Sequence, residues 1–344
     1  MARKVGIGIV GFGKWPRQAY APILRDSDEV EVVGVAARSD QTLAAAREAF
    51  STDLTVCHNY HDLLADDRVD AIMVATPHSL HGEVADWAMR AGKHVFVEPP
   101  FGETAEQATA LIDQAEKIIA AERSGLVFQA DLELGYIPVL HRLRRMLSDG
   151  DLGEPISVSV RLWCDWGLGG QAGSDESARI GFFVWCGPWY LQLLDVLLGR
   201  LPRRVAATGV RAMNGPLMDH GWVSLDYEDD VVGRFEFNLL AVEGQDITVD
   251  VVGSRGEARA DLCRSDVSWR TIDSTAWQVE HVPAAEPIVA FAGMRECLAG
   301  FVHAITEGEP VLADLAACKR IHQVVFAAQK AADDGIIVDL TDKG

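Results

Sequence analysis

Three features of the sequence predict a two-domain α/β fold. Short apolar runs alternate with amphipathic stretches over the first third of the chain, and a glycine pair directly follows the first apolar run. Beyond residue 150 the rhythm changes to consecutive strands separated by tight turns. The expected architecture is a doubly wound parallel-sheet domain over residues 1–125. An α+β domain with a large, mostly antiparallel open sheet follows over 126–344.

The elements follow in order. Residues 5–10, 30–36, 71–75 and 94–97 read as buried parallel strands, because they are apolar without alternation. Residues 19–25, 41–50, 81–91 and 105–121 carry the spacing of crossover helices. A last strand, 126–130, leads out of the domain. A helix over 138–148 stops at Gly150, a strand spans 156–163, and a polar glycine-rich loop spans 167–181. Helix 182–198 stops at Gly199. Strands are expected at 204–212, 221–227, 231–240, 246–252 and 258–262, and helices at 291–306 and 313–332.

Composition narrows the function. With 31 Lys and Arg against 51 Asp and Glu, the net charge is −20, which speaks against nucleic acid or an anionic membrane as partner. A hydrophobic share of 49% is that of a globular chain, and no apolar run is long enough to span a bilayer. The run 5–10 is too short for a signal-peptide core. The six cysteines are scattered without metal-like spacing, which fits free thiols in a reducing cytoplasm.

Gly11-Phe12-Gly13 sits between the first strand and the next helix, where glycine lets the backbone approach a pyrophosphate. Lys14 and Trp15 follow, and Pro16 replaces the usual third glycine. The second strand ends Val35-Ala36-Ala37-Arg38-Ser39, with no carboxylate for a ribose 2′-OH. A guanidinium and a hydroxyl suit a 2′-phosphate, which favours NADP(H) as cofactor; Asp40 keeps NAD(H) open.

The segment Val69-Asp70-Ala71-Ile72-Met73-Val74-Ala75-Thr76-Pro77-His78-Ser79-Leu80-His81 and the segment Ala91-Gly92-Lys93-His94-Val95-Phe96-Val97-Glu98-Pro99-Pro100 carry a more specific signal. The chain resembles the glucose–fructose oxidoreductase/inositol dehydrogenase (Gfo/Idh/MocA) family along nearly its whole length. That resemblance implies an NAD(P)-dependent oxidoreductase with a Rossmann domain, a small-molecule substrate, and assembly as a homodimer or homotetramer. It places Thr76, Pro77, His81, Glu98 and Pro99 at the cofactor, and Tyr20 where sugar dehydrogenases of the family often carry histidine.

The chain also departs from the family. The lysine of E-K-P is Pro99. The D-x-G-x-H-x-x-D signature, anchored on Gly187, reads Trp185-Cys186-Gly187-Pro188-Trp189-Tyr190-Leu191-Gln192. The R-[FY]-x-P element reads Gly135-Tyr136-Ile137-Pro138. The usual lysine and histidine pair is therefore absent. This points to a reductase acting on a conjugated or bulky small molecule, as in the related biliverdin and thiazolinyl imine reductases. A non-redox or sensory protein and an ordinary sugar or polyol dehydrogenase are the alternatives. Trp163, Trp166, Trp185, Trp189 and Tyr136 are expected to line an aromatic substrate pocket, or else simply to pack the core. His78, Tyr190 and Gln192 are the catalytic candidates, and His81, Asp165 and Asp195 are further polar groups in reach of such a role.

Overall fold

A computed structural model describes residues 3–51, 53–122, 125–167, 175–213 and 215–341. Residues 168–174, the centre of the expected glycine-rich loop, lie outside this set. The chain divides into two compact units: Met1–Leu132 with Met294–Lys319, and Glu133–Gly293 with Arg320–Gly344.

The first unit holds a parallel sheet of β1 (Val5–Val10), β2 (Val30–Ala36), β3 (Thr55–Cys57), β4 (Ala71–Val74), β5 (His94–Val97) and β6 (Phe128–Ala130). The strand order is β3-β2-β1-β4-β5-β6, the doubly wound dinucleotide-binding topology. The neighbours β1 and β4 flank the point where the winding reverses. Helices α1 (Ala21–Arg25), α2 (Asp40–Ala49), α3 (His61–Leu64), α4 (His78–Arg90) and α5 (Ala105–Glu122) make the crossovers. A single π-turn, Pro16–Tyr20, precedes α1, with the Ala21 amide reaching back to the Pro16 carbonyl. β1, β4 and most of β2 are buried along their length, as their unbroken apolar runs require.

The expected boundary at 125/126 moves to after Leu132, because β6 pairs with β5 through Val95–Phe128 and Val97–Ala130. Residues 294–319 then return to complete this unit. The Phe301 ring packs 5.5 Å from that of Phe96, the Gln129 amide donates to the Cys297 carbonyl at 2.9 Å, and the Ala130 amide donates to the Ala313 carbonyl.

The second unit is built on a nine-stranded sheet. Its strands are β7 (Pro155–Cys164), β8 (Arg204–Val210), β9 (His220–Asp226), β10 (Val232–Asn238), β11 (Gln245–Gly253), β12 (Gly256–Asp261), β13 (Asp266–Thr271), β14 (Ser274–His281) and β15 (Ile337–Asp339). Every pair is antiparallel except β7 with β10. The helices are α6 (Pro138–Ser148), α7 (Asp175–Ile180), α8 (Phe182–Trp185) and α9 (Gly187–Leu198). The helix Met294–Glu307 of the first unit is α10, and α11 (Leu315–Asp334) belongs to the second unit from Arg320 onward. α9 packs on β7 and β10, and α6 packs on β12 and β13. Phe182 stacks on Phe237 at 3.7 Å and Tyr190 stacks on Phe235 at 5.4 Å, so aromatic rings fill the layer between helix and sheet. The opposite face stays open, with Trp163, Trp222 and Val232 exposed.

Candidate functional site

The glycine turn after β1 is shaped by contact. Gly11 has φ of 90°, and a β-carbon there would lie 2.3 Å from the Ala75 carbonyl oxygen. Its amide donates to Ala36 at the end of β2. Gly13 is different: a β-carbon there would meet nothing within 4 Å. Gly11 is thus a packing requirement, whereas the open side of Gly13 suits the approach of a pyrophosphate at the switch point of the sheet. The Phe12 side chain is buried, 5.6 Å from the Phe50 ring, so only its backbone faces this turn. Lys14 is exposed and Trp15 is half-buried.

At the end of β2, Arg38 is exposed. The Ser39 hydroxyl caps α2 by accepting the Thr42 amide at 3.2 Å. Asp40 pairs with His58 at 3.2 Å, and the other His58 ring nitrogen lies 3.1 Å from the Ala37 carbonyl. His58 follows β3 and was not singled out from sequence, because the three-residue strand that delivers it gives almost no periodic signal.

Past β4, Thr76 and Pro77 lead into α4, where His78 is half-buried and its ring lies 5.6 Å from that of His81. Both His81 ring nitrogens are engaged, at 2.8 Å from the Pro100 carbonyl and 2.7 Å from the Thr76 carbonyl. The expectation that His81 contacts cofactor is corrected on that ground: its ring ties two strand ends together and is buried. The lysine and histidine of Gly92-Lys93-His94 also serve the fold. Lys93 caps the Asp66 and Val69 carbonyls, and His94 accepts the Val127 amide at 3.0 Å. Burial holds the His94 ring below its ordinary pKa, consistent with the neutral acceptor.

Glu98 follows β5, and Asp131 follows β6. The Tyr20 hydroxyl lies between them, bonded to Glu98 and to Asp131, the latter at 2.6 Å. Tyr20 and Asp131 are fully buried and Glu98 is 8% exposed. Burial pushes the Asp131 carboxyl up to about 6. Burial, and then the charges of Asp131 and Glu98, raises the Tyr20 phenol well above its ordinary value. Trp15, beside the glycine turn, also bonds toward Asp131. Pro99 is buried and joined to Pro100 by a cis peptide bond.

In the second unit several expectations change. Trp163 lies on the open face of the sheet, bonded to Glu236 under the Arg161 guanidinium, whereas Tyr190 stacks on the covered face. Alternate residues of a strand point to opposite faces, so Trp163 leaves the aromatic pocket. Tyr190 is buried against Phe235, and burial raises its phenol well above the ordinary value. Gln192 is buried and accepts the Gly135 amide at 3.1 Å. These contacts give Tyr190 and Gln192 packing roles instead of the catalytic ones expected. A β-carbon at Gly135 would lie 2.4 Å from the Gln192 amide nitrogen, so these two departures from the family fit one another. Tyr136 is buried, while Trp166, Trp185 and Trp189 keep part of their surface accessible. The Trp189 indole donates to Glu133 at 2.6 Å. Asp195 is taken up by a two-pronged ion pair with Arg320, and Asp165 accepts the Gly244 amide.

The strand order, the glycine turn and the carboxylate after β5 define a nicotinamide-dinucleotide oxidoreductase domain. Residues 5–120 match the family model "Oxidoreductase family, NAD-binding Rossmann fold", and residues 140–259 match "GFO/IDH/MocA C-terminal domain". The chain belongs to the Gfo/Idh/MocA family of oxidoreductases.

The chain is 25% identical over 206 residues to scyllo-inositol 2-dehydrogenase (NAD(+)) of Bacillus subtilis (strain 168), covering 57% of this chain and 56% of that protein. It is 29% identical over 250 residues to trans-1,2-dihydrobenzene-1,2-diol dehydrogenase of Bos taurus, covering 69% and 68%. The solved structure of an oxidoreductase domain protein from Kribbella flavida superposes with a TM-score of 0.86 over 98% of this chain and 100% of that one, at 19% identity.

Proposed function

We propose that the chain is an NADPH-dependent reductase of a conjugated or bulky small molecule. The observation that carries this reading is the pair of replacements where the family keeps its lysine and histidine. Pro99 is buried and has no ionisable group, and the Trp189 indole is spent on Glu133. Oxidising a simple carbinol needs a group to take the hydroxyl proton as hydride leaves, and neither residue does so. An acceptor whose double bond is conjugated spreads the developing charge and asks less of the protein. Arg38 at the end of β2 supports NADPH over NADH. When bound, the nicotinamide supplies the hydride. Gly13 leaves room for the pyrophosphate, and the partly exposed Trp166, Trp185 and Trp189 suit a planar substrate.

The inositol named for the bacterial relative favours a second reading, polyol oxidation. A two-way panel separates them. Purified protein is titrated with NADPH and NADH by nucleotide fluorescence. It is then assayed for NADPH oxidation with 4-nitrobenzaldehyde and trans-cinnamaldehyde, and for NADP⁺ reduction with glucose, xylose and myo-inositol. Reduction of the aromatic acceptors with little polyol turnover is the expected result; robust polyol oxidation reverses the assignment. The open sheet face, with Trp222 43% exposed and Val232 42% exposed, suits a homo-oligomer, which light scattering would detect.

A further inference from the structure

A hydroxyl carries one hydrogen, yet that of Tyr20 lies within bonding distance of two carboxyl groups, Glu98 and Asp131. It can donate to one of them only. The remaining contacts of the trio, including the one between the two carboxyl groups themselves, need a carboxyl O–H as donor, so the pair Glu98/Asp131 holds a proton of its own. The surroundings demand the same, since two adjacent carboxylates do not both ionise when buried.

All three residues belong to the first unit, and the backbone fixes them. The Glu98 amide donates to Val74 at the end of β4 at 3.0 Å, and the Asp131 amide donates to Val97 at the end of β5 at 2.9 Å. The pair thus sits at the carboxyl ends of neighbouring strands, on the β4–β6 side of the switch point. A dinucleotide held at the Gly11–Gly13 turn would bind outside the carboxyl ends of these strands at the switch point, the end at which Glu98 and Asp131 sit. Glu98 alone of the three has any exposed surface. His81 of α4 reaches the carbonyl of Pro100, two residues beyond Glu98.

We infer that Glu98 is the general acid of the reaction, and that Asp131 and Tyr20 are positioning residues that keep a proton on it. In the reductive direction, hydride forms the new C–H bond at the acceptor carbon. The π-electron pair of the double bond moves to the far atom, and that atom takes the Glu98 proton. A bound reduced nicotinamide would supply that hydride and take up the oxidation, and the Glu98 carboxylate left behind accepts a hydrogen bond from the Tyr20 hydroxyl. A solvent proton then re-enters at Glu98, the exposed end. The carboxyl pair thereby takes over the proton chemistry that Pro99 cannot supply.

This assignment rests on the reductase reading, and its test separates the two. Infrared difference spectra of cofactor-free protein at neutral pH should show a carboxylic-acid C=O stretch. It should vanish in Glu98→Gln and in Asp131→Asn, since either change leaves one carboxylate that Tyr20 alone satisfies. Its absence from the wild type overturns the inference whatever the substrate.

With NADPH and trans-cinnamaldehyde, Glu98→Gln should lower the hydride-transfer rate roughly 10²–10⁴-fold and abolish its alkaline limb, where the acid loses its proton. Asp131→Asn should move that limb to lower pH, because Glu98 loses the neighbour that holds its proton. Unchanged pH profiles in both variants, with the infrared band present, mean a structural pair and overturn the inference while the reductase reading stands. A wild type that binds NADPH and reduces neither aldehyde overturns the reductase reading and the role of Glu98 with it, while the infrared band still reports the shared proton.

Discussion

At the scale of single residues, Arg38 and Asp131 lie after strands at opposite sides of the same sheet, and each makes a separate prediction. If Arg38 reads a 2′-phosphate, Arg38→Ala should weaken NADPH roughly 10- to 100-fold, the range of a lost charge-assisted hydrogen bond, and leave NADH almost unchanged. Fluorescence titration with both nucleotides checks this; equal losses would place the residue elsewhere.

Asp131 makes a prediction about stability. Burial pushes its carboxyl up from 3.8 to about 6. The folded chain therefore binds this proton more tightly than the unfolded one. The associated stability is fully present below about pH 4 and is lost as the pH rises to about 6. Asp131→Asn should weaken that pH dependence, because it removes one of the two carboxyl groups that hold the proton. Urea unfolding of both proteins at pH 4, 5 and 6 would show a steeper decline in the wild type. The sequence displayed Glu98 through its motif, but it could not show Asp131 or the bridging role of Tyr20. The three lie far apart in the chain, and only the pairing of β5 with β6 brings them together.

At the scale of elements, the two glycines after β1 should respond in opposite ways. Gly11→Ala forces a side chain against the Ala75 carbonyl in a left-handed backbone, so it should lower the melting temperature markedly. Gly13→Val faces open space, so the fold should persist while nucleotide binding is lost. Thermal melts beside NADPH titrations distinguish the two. The sequence showed both glycines but not which of them packs.

Long buried strands and helices were readable because their periodicity reports burial directly. β13, β14 and β15 were not, since Ser274–His281 is mostly exposed and Ile337–Asp339 has three residues, leaving little apolar alternation to read. The face of the sheet to which Trp163 belongs follows from the register of β7, which a strand assignment without partners does not contain.

At the scale of the molecule, the first unit is not contiguous in the chain: it comprises Met1–Leu132 and Met294–Lys319. Its alternating strands and helices were legible, but the returning segment was not, because a helix such as α10 carries no mark of the sheet it will cover. The discontinuity has a consequence during synthesis. A ribosome that has finished Leu132 has made all six parallel strands, yet Phe96 still lacks Phe301, and Gln129 and Ala130 still lack their partners at Cys297 and Ala313. At roughly 5–20 residues per second, on the order of ten to thirty seconds pass before those residues are made. A fragment of residues 1–132 should therefore be aggregation-prone and poorly ordered by circular dichroism and proteolysis. Fusing residues 294–319 behind a flexible linker should restore a cooperative melt. During that interval the nascent cofactor domain stays incomplete, and a segment made long after Leu132 decides whether the part made first holds its shape.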